Sequence, residues 1–320
     1  MPVDALKIWL DSLSLGNYPL QKLQDDASFR RYFRLILTQK TYVVMDSQAD
    51  LASVETYLHG DTLLKAAGLK VPEIFYSDRE QGFLVLSDFG DDLYLNHLNE
   101  HTADKLYEKT FDDLFALQIY PVDHQLPLYD RNLLWNEMEL FRQWYVPSLK
   151  KNFSEKENKI VEAVFEKLIC SALSQPQVIV HRDYHSKNLM LLPDKTVGVL
   201  DFQDAVIGAC TYDIVSLLKD CYIVWQREKV LKWLQNFYRR LTELKTFQKI
   251  SFDQFVEWFD KMGLQRHLKC LGIFVRLKER DHKLKHVQHL PRVFSYVKET
   301  AGMYPEFKEF HQLLEQLEIK

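Results

Sequence analysis

Three polar side chains, Asp183, Asn188 and Asp201, stand at spacings that suit phosphoryl transfer. Asp183 ends a His-Arg-Asp run, Asn188 follows five residues later, and Asp201 opens an Asp-Phe-Gln-Asp run thirteen residues after the Asn. In phosphoryl transfer one Asp orients the hydroxyl nucleophile, while an Asn amide oxygen and a second Asp hold the Mg²⁺ that bridges the nucleotide phosphates. Oxygen ligands suit this hard cation. We therefore predict that Asp183 is catalytic and that Asn188 and Asp201 bind the metal.

Short apolar runs surround these residues and predict how the chain presents them. Residues 177–180 form a β-type run before the loop, and residues 189–192 and 197–200 form two more between Asn188 and Asp201. The pattern predicts a loop that leaves one strand, then a hairpin with a carboxylate at its far end. We expect this arrangement to bring the three polar side chains into one small volume.

A competing interpretation is a transition-metal site of a hydrolase, formed by His181, Asp183 and His185. Alternation along the loop could bring these three side chains to one side. However, no further His or Cys stands nearby to complete such a site, and the cluster would leave Asn188 and Asp201 unexplained. The phosphoryl-transfer interpretation is therefore favoured.

The composition is that of an ordinary globular protein with a large core. The 320 residues, of which 47% are hydrophobic and 27% charged, are enough for about two domains. The net charge is −4 and the Lys and Arg residues are spread along the chain, which predicts no nucleic-acid partner. We find no signal peptide and no apolar run of membrane-span length, so we expect a cytoplasmic protein without a membrane partner. The four cysteines show no C-x-x-C spacing, which indicates buried thiols in a reducing cytosol.

Five stretches of the chain carry specific motifs. They are Asp-Ala-Ser-Phe-Arg-Arg-Tyr-Phe-Arg at 26–34, Ser-Asp-Phe-Gly at 87–90, the His-Arg-Asp to Asn stretch at 181–188, Asp-Phe-Gln-Asp at 201–204 and Thr-Tyr-Asp-Ile-Val-Ser-Leu-Leu at 211–218. Together they resemble the protein-kinase-like superfamily, specifically its aminoglycoside and choline phosphotransferase branch, over nearly the whole chain. The first stretch and the last two are most similar to bacterial kinases that phosphorylate the anomeric hydroxyl of N-acetylmuramate and N-acetylglucosamine in cell-wall recycling.

This resemblance implies a bilobal α/β (α+β) fold of the protein-kinase-like type. A small lobe with an antiparallel sheet would span residues 1–88, and a large, mostly helical lobe would span residues 89–320. ATP and Mg²⁺ would be the cofactors, with the nucleotide in the cleft between the lobes. The acceptor would be a small-molecule sugar, and we expect a monomer. A kinase for another small hydroxyl compound, such as an aminoglycoside or a choline-like alcohol, is an alternative.

The resemblance also implies which residues contact the nucleotide. The loop at 25–34 corresponds to the lid over the phosphates, where the small Ser28 would let backbone N–H groups approach them. The segment that follows residue 86 corresponds to the hinge. The carbonyl of Ser87 and the N–H of Phe89 would therefore bind the edge of the adenine.

The strand expected at residues 42–46 departs from the kinase pattern. By alternation Val43 and Met45 share one face, and Met45 occupies the position where a phosphate-pairing Lys is expected. We assign Val43 to the nucleotide site, together with Arg30 and Tyr32, which share a strand face, and we expect Arg30 to replace the missing cation. The alternatives are that the local arginines are merely solvated, or that the chain is a catalytically silent ATP-binding regulator.

Two further residues are assigned by their position in the motifs. His185 stands where many kinases place a phosphate-contacting Lys, so the resemblance implies a catalytic contact with the γ-phosphate. Asp213 would brace the backbone of the catalytic loop. On the helix predicted for residues 130–146, Glu137 and its polar neighbours could line a substrate cleft, but a solvated helix face is favoured.

Helix signals predict much of the remaining structure. Asp50 should cap a helix that ends at Gly68. Capping boxes that begin at Ser154 and Ser251 should open two more helices. Several basic residues of the last third could face the acceptor, and nothing local decides among them: Arg276, Arg280 and Arg292.

Overall fold

The computed structural model describes residues 2–23, 30–123 and 125–317, with side chains from Ala5 onward. The described residues form a mixed α/β structure, as predicted. In chain order the helices and strands are α1 Pro2–Ser12, β1 Leu20–Lys22, β2 Arg31–Ile36, β3 Thr41–Asp46, α2 Ala52–Ala66, β4 Ile74–Asp78, β5 Phe83–Ser87, α3 Tyr94–His97, α4 Ala103–Ile119, α5 Arg131–Leu140, α6 Val146–Ser148, α7 Glu155–Leu173, β6 Gln177–Val180, β7 Leu189–Leu191, β8 Val197–Val199, β9 Val206–Ala209, α8 Tyr212–Leu218, α9 Arg227–Leu241, α10 Phe252–Glu279, α11 Leu290–Met303 and α12 Lys308–Leu317. A π-helical turn lies at Phe141–Tyr145, and 3₁₀ turns lie at Leu284–His289 and Pro305–Phe307.

The chain forms two compact units. Unit 1 comprises residues 1–96 and 188–204, and unit 2 comprises residues 97–187 and 205–320. The lobe boundary expected after residue 88 stays a prediction, because compact units need not coincide with functional lobes. The sequence did not indicate that residues 188–204 would belong to unit 1.

Unit 1 is built, in the part of it that the structure describes, on a five-stranded antiparallel sheet with the order β1-β2-β3-β5-β4. The pairs β2–β3 and β4–β5 are antiparallel hairpins, and β1 pairs with β2. Strand alternation turns Leu35, Val44 and Val85 to the same side, where Leu6 and Leu10 of α1 complete an apolar core. The sheet is thus anchored on α1.

Helix α2 begins differently from the prediction. Asp50 was expected to cap it, but the N-cap is Leu51, which makes no side-chain capping bond. The carbonyl of Asp50 instead accepts the N–H and the hydroxyl of Ser53, so this aspartate acts through its backbone. The predicted end of the helix is confirmed, because Gly68 has a φ of +93°, a conformation that glycine adopts without strain.

The β7–β8 hairpin attaches to unit 1 through backbone hydrogen bonds. The N–H of Leu191 donates to the carbonyl of Asp92 at 2.9 Å, and the N–H of Val199 donates to the carbonyl of Lys70 at 2.8 Å. These bonds pair backbone groups that a buried hairpin would otherwise leave unsatisfied. They explain why this hairpin, which follows the predicted catalytic loop, belongs to unit 1.

Unit 2 is mostly helical, and its longest described helix, α10, is buried over much of its 28 residues. Ser251 caps α10 by accepting the N–H of Gln254, as predicted. Ser154 and Glu157 form the predicted capping box of α7. The strands β6 and β9 pair antiparallel. These caps satisfy backbone N–H groups at the starts of two long helices of unit 2, α7 and α10.

Two expectations from composition can be compared with the structure. Cys210, Cys221 and Cys270 are buried, as predicted, but Cys170 is exposed because it lies on the outer face of α7. Within residues 2–23, 30–123 and 125–317, no helix is both long and apolar enough to cross a membrane.

Candidate active site

The predicted catalytic loop, residues 181–187, is held by two buried carboxylates of unit 2. Asp213 on α8 accepts the N–H groups of His181 at 2.7 Å and Arg182 at 3.0 Å, which is the brace that the sequence predicted. Asp220 accepts the N–H of Ser186 at 3.0 Å and its hydroxyl at 2.5 Å. Burial raises the pKa of Asp213 to about 7, although the two N–H donors oppose the rise. The backbone of the loop is therefore fixed at both ends.

Arg182 joins the loop to a buried charge network. Its guanidinium pairs with Glu137 at 2.5 Å, and Glu137 also pairs with Lys269 at 3.0 Å and accepts the hydroxyl of Tyr129. Glu137 is only 7% exposed, so the expectation of a solvated helix face was wrong for this residue. Helical spacing identified the helix, but it could not show that two cations from elsewhere in the chain would meet this carboxylate.

Asp183, the predicted catalytic residue, is half-buried beside several cations. Burial by itself would raise the pKa of its carboxyl group, but the positive charges of Lys269, Arg266 and Arg182, and that of His185 when it is protonated at low pH, lower it to about 2. Arg182, the residue before it, adopts a left-handed φ of 74°, and such backbone strain is often found at functional positions. Asp183 is therefore ionised at neutral pH and can accept a hydrogen bond from a hydroxyl group.

His185 lies one turn beyond Asp183, and its N–H donates to the Asp183 carbonyl at 2.9 Å. Its ring is half-buried and packs edge-on against Tyr222, with 5.2 Å between the ring centres. Burial lowers the pKa of the imidazole below its usual value, so the ring is neutral at pH 7. A contact with phosphate would therefore use a neutral N–H donor rather than the positive charge of a lysine.

The predicted metal ligands lie together in unit 1. The carbonyl of Asn188 accepts the N–H of Leu200 at 2.9 Å, which brings the start of β7 beside the residue that precedes Asp201. Asp201 has a left-handed φ of 59°, an uncommon conformation for a residue other than glycine. The amide oxygen of Asn188 and the carboxylate of Asp201 are the donors that Mg²⁺ prefers, so these residues fit the group that was predicted.

The competing transition-metal interpretation gains no support from the geometry. Among the residues that the structure describes, no three His, Cys, Asp or Glu side chains lie close enough together to hold a metal ion. Mg²⁺ needs fewer protein ligands, because it keeps several waters and binds phosphate oxygens.

Phe202 fixes the position of the chain just after Asp201. Its ring is fully buried against Tyr57 of α2, with 4.8 Å between the ring centres. A Cβ atom on Gly60, one turn further along α2, would lie 2.9 Å from the Phe202 ring. A glycine is therefore needed at this close approach, a signal that reasoning from the sequence missed.

Arg30 and Tyr32 share the surroundings of Tyr57 with Asp201. Burial raises the pKa of Tyr57 well above its usual value, Tyr32 and Asp201 raise it further, and the positive charge of Arg30 lowers it. These effects indicate that Arg30, Tyr32 and Asp201 lie within electrostatic range of one buried ring. Two predicted nucleotide-binding residues and one predicted metal ligand therefore act on the same buried ring.

The other arginines of the same segment have carboxylate partners. Arg31 forms an ion pair with Asp46, and Arg34 pairs with Asp88 at 2.6 Å and with Asp91 at 2.9 Å. The interpretation that the local arginines are merely solvated is therefore wrong for these two. That Arg30 replaces the missing cation stays a prediction.

The strand β3 carries no charge at the expected lysine position. Met45 is fully buried and pairs in register with Tyr32 of β2, while the half-buried Val43 pairs with Leu86 of β5. Val43 thus lies next to the strand that leads into the predicted hinge. Ser28, which was assigned to the lid, lies outside the described residues.

The predicted hinge is an ordered turn after β5. The N–H of Ser87 donates to the carbonyl of Glu73 at 2.8 Å, and Asp88 accepts the N–H of Gly90, whose φ is +82°. The ring of Phe89 packs so closely on Gly198 of β8 that a Cβ there would lie 2.7 Å away. A cavity of about 550 Å³ borders this turn and is lined by Thr41, Asp88, Phe89, Gly90 and residues 192–194.

Comparison with known proteins decides the family. The model of a phosphotransferase enzyme family, APH, matches residues 19–250. The chain belongs to this phosphotransferase family. Asp183, Asn188 and Asp201 all lie within the matched region, and so do the hinge and β3.

Two relatives of this protein match it along nearly their whole length. The N-acetylmuramate/N-acetylglucosamine kinase of Pseudomonas putida is 39% identical over 328 residues, which cover 99% of this chain and 96% of that protein. The protein of the same name from Neisseria meningitidis serogroup B is 35% identical, over 98% of this chain and 95% of that protein.

Solved structures show the same fold at low sequence identity. The choline kinase of Streptococcus pneumoniae gives a TM-score of 0.67 at 13% identity, over 92% of this chain and 99% of that one. An ADP-bound aminoglycoside phosphotransferase gives 0.62 at 15% identity, over 93% of this chain and 99% of that one. The predicted protein-kinase-like fold class is confirmed.

The predicted site residues are thus distributed over both units of the phosphotransferase. Unit 2 holds Asp183 and His185, and unit 1 holds the predicted metal ligands Asn188 and Asp201. The remaining described candidates also lie in unit 1: Arg30, Tyr32, Val43, Ser87 and Phe89. The expectation that the catalytic aspartate and the metal ligands share one small volume stays a prediction.

Proposed function

We propose that this phosphotransferase is an ATP-dependent sugar kinase that phosphorylates the anomeric hydroxyl of N-acetylmuramate, N-acetylglucosamine or both. The names of relatives that are 35–39% identical along nearly their whole length support this substrate class. The observation that carries the proposal is the ionised Asp183, on a loop that Asp213 and Asp220 hold by hydrogen bonds.

Asp183 orients the acceptor hydroxyl in this proposal. In a loose phosphoryl-transfer transition state the base does little beyond orientation, so the carboxylate does not need a raised pKa. A carboxylate with a pKa of about 2 meets that requirement. The anomeric hydroxyl is more acidic than the other sugar alcohols, because the ring oxygen withdraws charge from the carbon that bears it. Placement of the hydroxyl beside Asp183 then decides which oxygen is phosphorylated.

The nucleotide is assigned to residues of unit 1. Asn188 and Asp201 would hold Mg²⁺, which when bound neutralises phosphate charge. Arg30 would supply a second positive charge near Asp201, in place of the lysine that β3 lacks. The backbone of Ser87 and Phe89 would bind adenine. The neutral imidazole of His185 would donate a hydrogen bond to the γ-phosphate.

A second candidate function is a catalytically silent ATP-binding regulator. The buried Met45 suggests it, because kinases of the general pattern carry a lysine at that position, but the relatives that are named kinases do not favour it. Mg²⁺-dependent ATP turnover that a sugar stimulates would exclude this alternative. ATP binding without any such turnover would support it.

The proposal is tested by incubating the protein with labelled ATP and a panel of amino sugars, aminoglycosides and amino alcohols. We expect label on the amino sugars, and we expect chelation of Mg²⁺ to abolish the transfer. The product should be a sugar 1-phosphate, which no longer reduces copper and releases phosphate in mild acid. A labelled product that still reduces copper would contradict anomeric phosphorylation and favour another hydroxyl.

A further inference from the structure

Arg266 is a buried guanidinium that has no carboxylate partner in the described part of the chain. The residue lies on α10 and is 3% exposed, and its guanidinium donates to the sulfur of Cys221 at 3.7 Å. Burial lowers the pKa of Arg266, but neighbouring negative groups, Asp183 among them, raise it well above its usual value. A ligand carboxylate at this position would pair directly with the guanidinium.

The buried acidic residues nearby are engaged elsewhere. Glu137 pairs with both Arg182 and Lys269. Asp213 accepts two N–H groups of the catalytic loop, and Asp220 accepts an N–H and a hydroxyl of the same loop. None of these three carboxylates forms an ion pair with Arg266, whose charge instead lies within electrostatic range of Asp183.

Arg266 belongs to the surroundings of the catalytic loop. Its hydrogen-bond partner Cys221 is followed by Tyr222, whose ring packs against His185. Although burial raises the pKa of Asp183, the positive charge of Arg266 is among those that lower it. The guanidinium thus lies within electrostatic range of the carboxylate that would orient the acceptor.

More positive charge gathers on the segment that contacts Arg266. The Nζ atom of Lys187 lies 3.7 Å from the centre of the Tyr222 ring, and Arg292 donates to the carbonyl of Cys221 at 3.1 Å. Three cations therefore approach a segment whose own acidic residue, Asp220, is already hydrogen-bonded. The local field attracts anions.

We propose that Arg266 binds the carboxylate of an acidic acceptor sugar and so makes the enzyme favour N-acetylmuramate over N-acetylglucosamine. This inference rests on the proposed function. The two sugars differ by an ether-linked lactate at C3, which gives a negative charge to N-acetylmuramate alone. A guanidinium recognises a carboxylate through two parallel N–H bonds in one plane. When the anomeric hydroxyl meets Asp183, the substituent at C3 extends from the same ring towards its surroundings.

The test compares the two sugars as substrates of the wild type and of Arg266→Gln. We expect the ratio of kcat/KM for N-acetylmuramate to that for N-acetylglucosamine to fall by about 10- to 100-fold in the variant. Arg266→Lys keeps the charge but loses the fork, so its ratio should lie between the two. Arg240→Gln is the matched control, because Arg240 pairs with Asp112 at the surface, and its ratio should equal that of the wild type.

An equal loss with both sugars would overturn the inference, since it would assign Arg266 to the nucleotide phosphate or to the fold. If Arg266→Gln does not fold, Arg266→Lys decides the question by the same ratio. Calorimetry without ATP gives a second readout: wild-type protein should bind N-acetylmuramate more tightly than its uncharged methyl ester, and Arg266→Gln should lose that preference.

The two proposals can fail separately. If the wild type phosphorylates both sugars but Arg266→Gln leaves the ratio unchanged, the function stands and the role of Arg266 is overturned. If the wild type phosphorylates neither sugar, the proposed function fails, and calorimetry still decides Arg266. A wild-type preference for N-acetylmuramate over its methyl ester that disappears in Arg266→Gln would support a carboxylate site at Arg266. If the wild type shows no such preference, the carboxylate site is overturned.

Discussion

The predicted catalytic loop of unit 2 is surrounded by buried charged residues, whereas the strand β3 of unit 1 has an apolar residue where a lysine was expected. Around the loop, Glu137, Asp213 and Asp220 are buried and hydrogen-bonded, and cations surround Asp183. On β3 the position that carries a lysine in kinases of the general pattern holds the fully buried Met45. The difference teaches that fixed charge is concentrated around the residue proposed to orient the acceptor, whereas in the proposal unit 1 would rely on backbone groups and on Arg30.

The largest expected effect separates chemistry from nucleotide binding. Asp183→Asn removes the carboxylate that orients the hydroxyl, so turnover should fall on the order of 10³-fold while ATP affinity stays near that of the wild type. Stopped assays with labelled ATP measure the first quantity, and calorimetry with ATP measures the second. A loss of ATP affinity as large as the loss of turnover would instead mean that Asp183 is structural.

The charge network of unit 2 should matter most for stability. Glu137→Gln leaves the buried charges of Arg182 and Lys269 without their carboxylate, so the free energy of unfolding should fall by roughly 3–5 kcal/mol. Denaturant titration measures it. The control is Glu139→Gln on the same helix, which breaks a half-buried pair with Arg142 but leaves Arg142 paired with Glu162, so it should cost about 1 kcal/mol or less. Similar losses in both variants would mean that Glu137 has no special importance for the buried network.

On the unit 1 side, Arg30→Ala tests the substitute cation. Loss of a charged contact to phosphate should raise the KM for ATP by about 10-fold and reduce turnover. Arg31→Ala is the matched control, because Arg31 pairs with Asp46 and should affect stability rather than ATP. Steady-state kinetics with both variants decide this point, and an unchanged Arg30→Ala enzyme would leave phosphate recognition to Mg²⁺ and the backbone.

The smallest effect concerns pH. The pKa of Asp183 in the folded protein is lowered to about 2. The ionised carboxylate therefore stabilises the fold at pH values above its unfolded-state pKa, and this stabilisation is lost as the pH falls through about 2. Asp183 should therefore contribute no change in kcat between pH 5 and 8. An inflection near pH 7 should disappear in Asp213→Asn, because the pKa of Asp213 is about 7. An inflection that persists in this variant would belong to another group, and Cys270 has a pKa of about 7.

Helix starts and ends that depend only on neighbouring residues were predicted from the local sequence. The capping box at Ser154 and the stop at Gly68 follow from spacing within a few residues. The brace from Asp213 came from the family resemblance, and the structure contains it. The prediction that Asp50 caps α2 was wrong, although the helix itself was predicted correctly. Helix capping depends on the backbone angles at the first residues, which the sequence pattern does not report.

Long-range contacts could not be read from the sequence. The burial of Glu137 depends on Lys269, more than a hundred residues away, and the burial of Arg266 depends on how α10 meets the segment at Cys221. A helical pattern shows which residues share a face, but it does not show what that face will contact. The need for Gly60 was also hidden, since it arises from Phe202.

Unit 1 takes its last segment from far along the chain, because residues 188–204 follow the whole of 97–187. During synthesis at about 5–20 residues per second, the finished strands of the sheet wait roughly 5–20 s for β7 and β8 to leave the ribosome. Until then the carbonyls of Lys70 and Asp92 lack their hairpin partners. A nascent chain that stops before residue 188 can form its sheet, yet it has neither of the predicted metal ligands. Translation must therefore reach the hairpin before the older part of the protein can acquire its chemistry.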